Sequence, residues 1–287
     1  MHEKENLIEQ FHKLGIVDGD VVLIRAALNK LGRVKGGPSI ILDALKEAVG
    51  ETGTVVTLGF SRMSFRLNLS YDLAFNSKTP ANTGALAKVF MKDDCCMRSE
   101  HPTNSFLAIG PKAPYILEGH NAYSKSYYPM NKLLDLNAKM IVVGCVGSSP
   151  GFTTVHLAQE NLGLTCKSWF SGFFGQYYSK DGVLLKYIKR DFGGCSAGFN
   201  KFYSDYIDSE SLQVGYIGNA YSIVISCLDA YRIEYKKIKE NNLYHLCDRP
   251  NCFSCRVSWR NNLRGVPKYI FFWVLYFLKL KPFRKLK

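Results

Sequence analysis

Apolar residues run together, without the alternation of a half-solvated strand, in five short stretches. They are "DVVLIRAAL" (residues 20–28), "GTVVTLGF" (53–60), "FLAIG" (106–110), "KMIVVGC" (139–145) and "YSIVISC" (221–227). Such runs predict strands covered on both faces. Between them the period changes. Residues 36–50, "GGPSIILDALKEAVG", place apolar positions at helical spacing behind a glycine pair and Pro38 and close on Gly50, which predicts a helix. An amphipathic helix is expected over 4–14 and a short one over 84–91, after a long loop from 61 to 82. Further helices flank the third and fourth strands, and a charged one follows over 228–242. "SKDG" (179–182) between "QYY" and "VLLKYIKRDF" predicts a hairpin turn. Strands alternating with helices give an α/β class, a mixed sheet flanked by helices. No repeat or low-complexity linker interrupts the chain before residue 243. It therefore divides into one large domain, 1–242, and an appended segment, 243–287.

Composition changes this picture at one end only. The chain has 287 residues, 47% of them hydrophobic and 21% charged, within the range of folded globular proteins. Its net charge is +13, but nine of those charges fall between Arg256 and Lys287, where no acid occurs. The main body is close to neutral, so nucleic-acid binding is not expected of it. The first residues, "MHEKENLIEQFHKLG", lack the apolar core of a signal peptide, and the nine cysteines are odd in number and irregularly spaced. Both point to reduced thiols and a cytoplasmic location. The longest apolar stretch, "YIFFWVLYFL" (269–278), is shorter than a membrane-spanning helix requires.

No P-loop, no G-x-G-x-x-G opening a helix and no G-x-S-x-G elbow is present, so nucleotide-hydrolase and α/β-hydrolase chemistry lose their usual signatures. Three other blocks stand out in order. The first holds Gly19, Asp20, Leu28, Gly32, Val34, Gly36, Gly37, Gly50, Gly53 and Thr54. The second holds Arg98, Ser99, His101, Pro102, Ser105, Ala108, Gly110 and Ala113. The third holds Thr153, His156 and Ala158. Together they resemble the aminoglycoside 3-N-acetyltransferase family over about residues 10–240, which implies an acyltransferase domain with that family's sandwich fold and acetyl-CoA as donor. The resemblance breaks at three points. Arg25 and Ala27 replace a histidine and a serine on the first strand, Gln159 replaces a glutamate in the third block, and Tyr128 precedes Pro129 where relatives have serine.

Acyl transfer from a thioester to an amine needs a base of near-neutral pKa and donors for the oxyanion. Thr153 as N-cap puts His156 in the first turn of a helix, facing the space that the free amides address. His156 is thus the expected general base. The family places a carboxylate about 35 residues on, and Asp191 in "IKRDFGG" holds that position as the expected partner of its second ring nitrogen. Gln159 and Glu160 flank His156 on the helix, which makes them acceptor-binding candidates together with His120. The resemblance assigns Arg25, Ala27, Arg98, Ser99, His101, Ser105 and Thr153 to the coenzyme A cleft. Cys145 and Cys195 offer a competing route through an acyl-enzyme.

The appended segment adds two features. "HLCDRPNCFSC" brings His245, Cys247, Cys252 and Cys255 within eleven residues, a donor set suited to zinc or an iron–sulfur cluster. The tail "GVPKYIFFWVLYFLKLKPFRKLK" joins an aromatic centre to a basic end, the composition of a helix that lies on an anionic membrane face or packs on a second subunit. An altered pocket and such a tail favour an amine acceptor from surface-polysaccharide synthesis, an amino sugar. The alternatives are an aminoglycoside antibiotic as acceptor, or a non-catalytic binding or metal-site protein on the same fold.

Overall fold

The computed structural model describes residues 1–278. The five apolar runs form the strands β1 (Val21–Ala26), β2 (Thr54–Leu58), β5 (Phe106–Ile109), β6 (Lys139–Val143) and β10 (Ala220–Ser226). With the short β4 (Met97–Arg98) and with β9 (Gln213–Ile217) they build a seven-stranded sheet in the order β4-β5-β2-β1-β6-β10-β9. The pairs of β1 with β2 and with β6 are parallel, and the remaining pairs are antiparallel. The sheet is mixed, as expected. β9 went unpredicted because it is an edge strand, largely exposed and interrupted by Gly215.

Each central strand is buried on both faces and feeds two cores. Val22, Ile24, Val55, Ile141 and Val143 face one side, where α1 (Lys4–Lys13), α2 (Ile40–Val49) and α3 (Ala85–Phe90) cover them. Val21, Leu23, Val56, Met140 and Val142 face the other. That side is covered by α4 (Ala113–Leu117), α5 (Pro129–Asp135), α6 (Thr154–Asn161), α7 (Phe202–Asp208) and α8 (Cys227–Glu240). Continuous apolar runs are the sequence consequence of this two-sided burial.

A second sheet of three antiparallel strands, β3 (Ser64–Phe65), β7 (Phe174–Lys180) and β8 (Val183–Ile188), stands beside the first. Asp181 and Gly182 join β7 to β8 with φ of 50° and 77°, the positive pair that a two-residue type I′ turn demands. The cysteine-rich segment is not a loose appendage. Leu246, Cys247, Cys255 and Trp259 are built into the same core as α6 and α8. It carries α9 (Phe253–Arg256) and α10 (Gly265–Phe277). The basic end of the tail, residues 279–287, lies outside the described residues, and among those described no helix is long and apolar enough to cross a membrane.

Candidate active site

The parallel strands β1, β2 and β6 end together, and a cleft of about 410 Å³ opens at their carboxyl ends. Arg25 and Ala26 end β1, Thr57 and Leu58 end β2, and Cys145 follows β6 by two residues; all five line the cleft. Opposite them, Phe152, Thr153 and His156 come from the start of α6, and Ser196 and Phe199 from the loop after β8.

His156 sits in the first turn of α6, as expected. Thr153 is the N-cap, although its side chain makes no capping bond. The His156 ring lies flat on Tyr127, with centroids 4.6 Å apart, and edge-on to Phe199 at 4.9 Å. Its Nδ1 donates to Gln159 Oε1 at 3.0 Å, which leaves Nε2 as the basic nitrogen. This bond corrects the expected pairing with Asp191. Gln159 lies one helical turn on, within reach of the ring, and takes the place assigned to the acid. Burial pushes the imidazole down to about 4, with Arg25 and Lys189 adding to the effect and the Gln159 bond opposing it. The ring is therefore neutral at physiological pH.

Asp191 is engaged elsewhere. It accepts from Ser126 N at 2.6 Å and Ser126 Oγ at 2.7 Å, and the buried Lys189 ammonium lies 3.5 Å away. Burial alone would raise the Asp191 carboxyl, but Lys189 and the Ser126 bonds outweigh it and hold the group below its usual range. Glu160 accepts from Tyr127 N at 3.1 Å, and burial next to Asp191 pushes it up to about 9. Asp191 and Glu160 thus anchor Ser126 and Tyr127, and Tyr127 is the platform under His156. Their action on the base is indirect, and Glu160 does not face the cleft as an acceptor-binding group.

Arg25 braces the turn before α6. Its guanidinium donates to Gly151 O at 2.8 Å, Ser149 O at 2.5 Å and Ser149 Oγ at 2.6 Å. Ala27 is not in the cleft lining; its amide bonds Val143 O at 2.9 Å.

The second block is scaffold instead of cleft wall. His101 is fully buried; its Nδ1 accepts from Asn104 N at 3.0 Å and its ring stacks on His120. His120 meets Ser99 Oγ at 2.9 Å, and Ser99 Oγ in turn accepts from Phe106 N at 2.8 Å. Arg98 and Ser105 bond each other and Gly59 O. Burial holds both His101 and His120 well below the ordinary histidine range. The structure thus moves His101, Ser105 and His120 out of the cleft lining: His101 has both ring nitrogens engaged, by Asn104 N and the Tyr187 hydroxyl, Ser105 bonds Gly59 O, and His120 is buried against His101 with Nδ1 on Ser99. Arg98 and Ser99 reach a different recess, of about 280 Å³.

The metal candidates also change. Cys247, Cys252 and Cys255 converge, but the fourth donor beside them is Cys195, with all four sulfurs within 4.8 Å of one another. His245 is not in the group; its ring is buried edge-on against Trp259, 4.9 Å between centroids. Cys195 lies more than fifty residues from the others, and no local spacing could have paired it with them. Tyr127 and Lys189 were also missed, since their roles exist only through the tertiary contacts just described.

Comparison with known proteins agrees with this architecture. The sequence model of the family described as aminoglycoside 3-N-acetyltransferase matches residues 23–239. An aminoglycoside N(3)-acetyltransferase III of Acinetobacter baumannii is 29% identical over 187 residues, which cover 59% of this chain and 64% of that relative, less than two thirds of its length. Among solved structures, a histidine-to-alanine mutant of aminoglycoside acetyltransferase AAC(3)-IVa in complex with a gentamicin superposes with a TM-score of 0.77. It is 22% identical, over 91% of this chain and 98% of that one. AAC-IIIb in a binary complex with CoASH gives 0.73, at 19% identity over 83% and 97%. At these identities the two structures establish the fold.

Proposed function

The chain belongs to the aminoglycoside 3-N-acetyltransferase family, and from that premise we propose that it transfers an acetyl group from acetyl-CoA to an amino group of an aminoglycoside-type acceptor. The observation that carries the reading is His156: a neutral imidazole at the wall of the cleft outside the carboxyl ends of β1 and β2, with Nδ1 occupied by Gln159 and Nε2 left basic. The amine reaches the thioester carbonyl and loses its proton to Nε2 as the C–N bond forms. The C–S bond then breaks, the imidazolium returns the proton to the sulfur so that coenzyme A leaves as the thiol, and no acyl-enzyme intervenes. Tyr127 and Phe199 hold the ring plane. The positive end of α6 faces the carbonyl oxygen as it gains charge. A relative named as a binary complex with CoASH supports coenzyme A as the carrier.

General-base assistance is typically worth about 100- to 10,000-fold. His156→Ala is expected to lower turnover by about that factor in a chain that still folds, as its circular dichroism spectrum would show, when coenzyme A thiol release is followed with aminoglycosides and simple amino sugars. Full turnover in that variant would remove the assignment.

A second reading of the acceptor rests on the cleft wall, where Arg25 is present and no Asp or Glu is among the described lining residues. Such a wall suits an amino sugar with fewer cations than an aminoglycoside, including those of surface polysaccharides. The relatives are named for aminoglycosides and lend the polysaccharide route no support. The relative kcat/KM of the two acceptor classes decides between them. We also propose that α10 rests on an anionic membrane surface at the cytoplasmic face, or pairs with a second copy of the chain.

A further inference from the structure

We infer that Cys195, Cys247, Cys252 and Cys255 bind one structural zinc ion, which pins the cleft loop after β8 to the cysteine-rich segment. The four thiols are free of disulfides, and their sulfurs all lie within 4.8 Å of one another. Zinc–thiolate bonds of about 2.3 Å in a tetrahedron separate the sulfurs by about 3.8 Å, so small closure brings all four onto one ion. A two-iron cluster would spread the outer pairs further, by the iron–iron separation. Cys252 and Cys255 form the C-x2-C pair, with Cys252 capping α9 and Cys255 inside it.

The surroundings suit a zinc tetrathiolate, which carries a double negative charge. Backbone amides point at two of the sulfurs: Ala197 N to Cys195 at 3.3 Å and Cys247 N to Cys255 at 3.4 Å. Arg256 bonds the Cys247 and Arg249 carbonyls, and Lys201 bonds Leu246 O and Asp248. Such outer contacts orient metal ligands and offset their charge.

The position gives the ion its task. Gly198 passes so close to residues 245–247 that a Cβ there would meet His245 O at 2.5 Å and Cys247 N at 2.6 Å. The same loop brings Gly193 against His156 and sends Ser196 and Phe199 into the cleft. The wall of the cleft that touches the base is therefore tied to the fold through Cys195. Because the ligands come from two separate segments, metal binding and folding are coupled.

The full chain, purified in a thiol reductant and dialysed free of loose metal, is expected to contain one zinc and no iron per molecule by elemental analysis. Cys195→Ser and Cys252→Ser should each lose it, whereas Cys166→Ser, at an exposed thiol outside the group, should keep it. Where those variants do not fold, the wild-type chain with cobalt in place of zinc provides the reading, through the intense sulfur-to-cobalt charge-transfer bands of a tetrathiolate. Stoichiometric iron, a chain free of metal that shows no such bands with cobalt, or zinc retained by both cysteine variants would each overturn the inference.

Discussion

Gln159 holds the tautomer of His156 as a carboxylate would, but it brings no charge to stabilise the imidazolium. Burial has already moved the ring from 6.5 down to about 4. Between those two values the folded protein carries His156 neutral while the unfolded chain protonates it, so this group makes stability rise with pH through that window and contributes fully above 6.5. The same shift keeps the base available at acidic pH. Gln159→Glu places an anion about 3 Å from Nδ1, and a charge at that range raises a histidine by about one to three units. The acidic limb of kcat/KM should move up by that amount. Turnover at pH 8 should rise by at most about tenfold per unit, since one unit corresponds to about 1.4 kcal/mol between protonation states. An unchanged limb, alongside an upward shift of the His156 resonance in an NMR titration, would show that this ring is not the base.

Helix α10 raises the corresponding question for an element. Ile270, Phe271, Val274 and Phe277 occupy one face of it and are 47–75% exposed, while Tyr269 on its inner side meets Phe253 of α9. An exposed apolar stripe followed by a basic tail is the arrangement of an interfacial helix. Removal of residues 265–287 is expected to abolish cosedimentation with vesicles of phosphatidylcholine and phosphatidylglycerol while sparing acetyl transfer, and equal sedimentation of the shortened chain would dismiss the membrane role. Helices such as this one were legible in the sequence, as were the central strands and the 179–182 hairpin, because each is written in a local period or turn signal. His156 was legible for the same reason, as a histidine one turn inside a helix start. Its partner was not. The choice between Gln159 and Asp191 depends on Ser126 and Lys189 capturing the acid, which no spacing records. Cys195 joining Cys247 likewise depends on a loop crossing that only the folded chain contains.

The molecule as a whole places its cleft where an open α/β sheet gathers ligands, outside the carboxyl ends of parallel strands on either side of the central one. That placement makes β1 the floor, and it puts Cys145, two residues past β6, in the wall of the cleft. A cysteine there raises the one serious rival to direct transfer, an acetyl-cysteine intermediate. Burial pushes the Cys145 thiol above its ordinary value, only partly offset by Arg25, so the thiolate needed for attack is scarce at neutral pH. Cys195 is held within the four-thiol group. Acetyl-CoA alone should therefore bind without reacting. At about one hundred times its dissociation constant it should stabilise the fold by about 2.7 kcal/mol, seen as a rise in Tm, while the intact mass of the protein stays unchanged. One added acetyl group on Cys145, formed at the rate of turnover, would replace direct attack by a two-step route and leave His156 to activate the thiol.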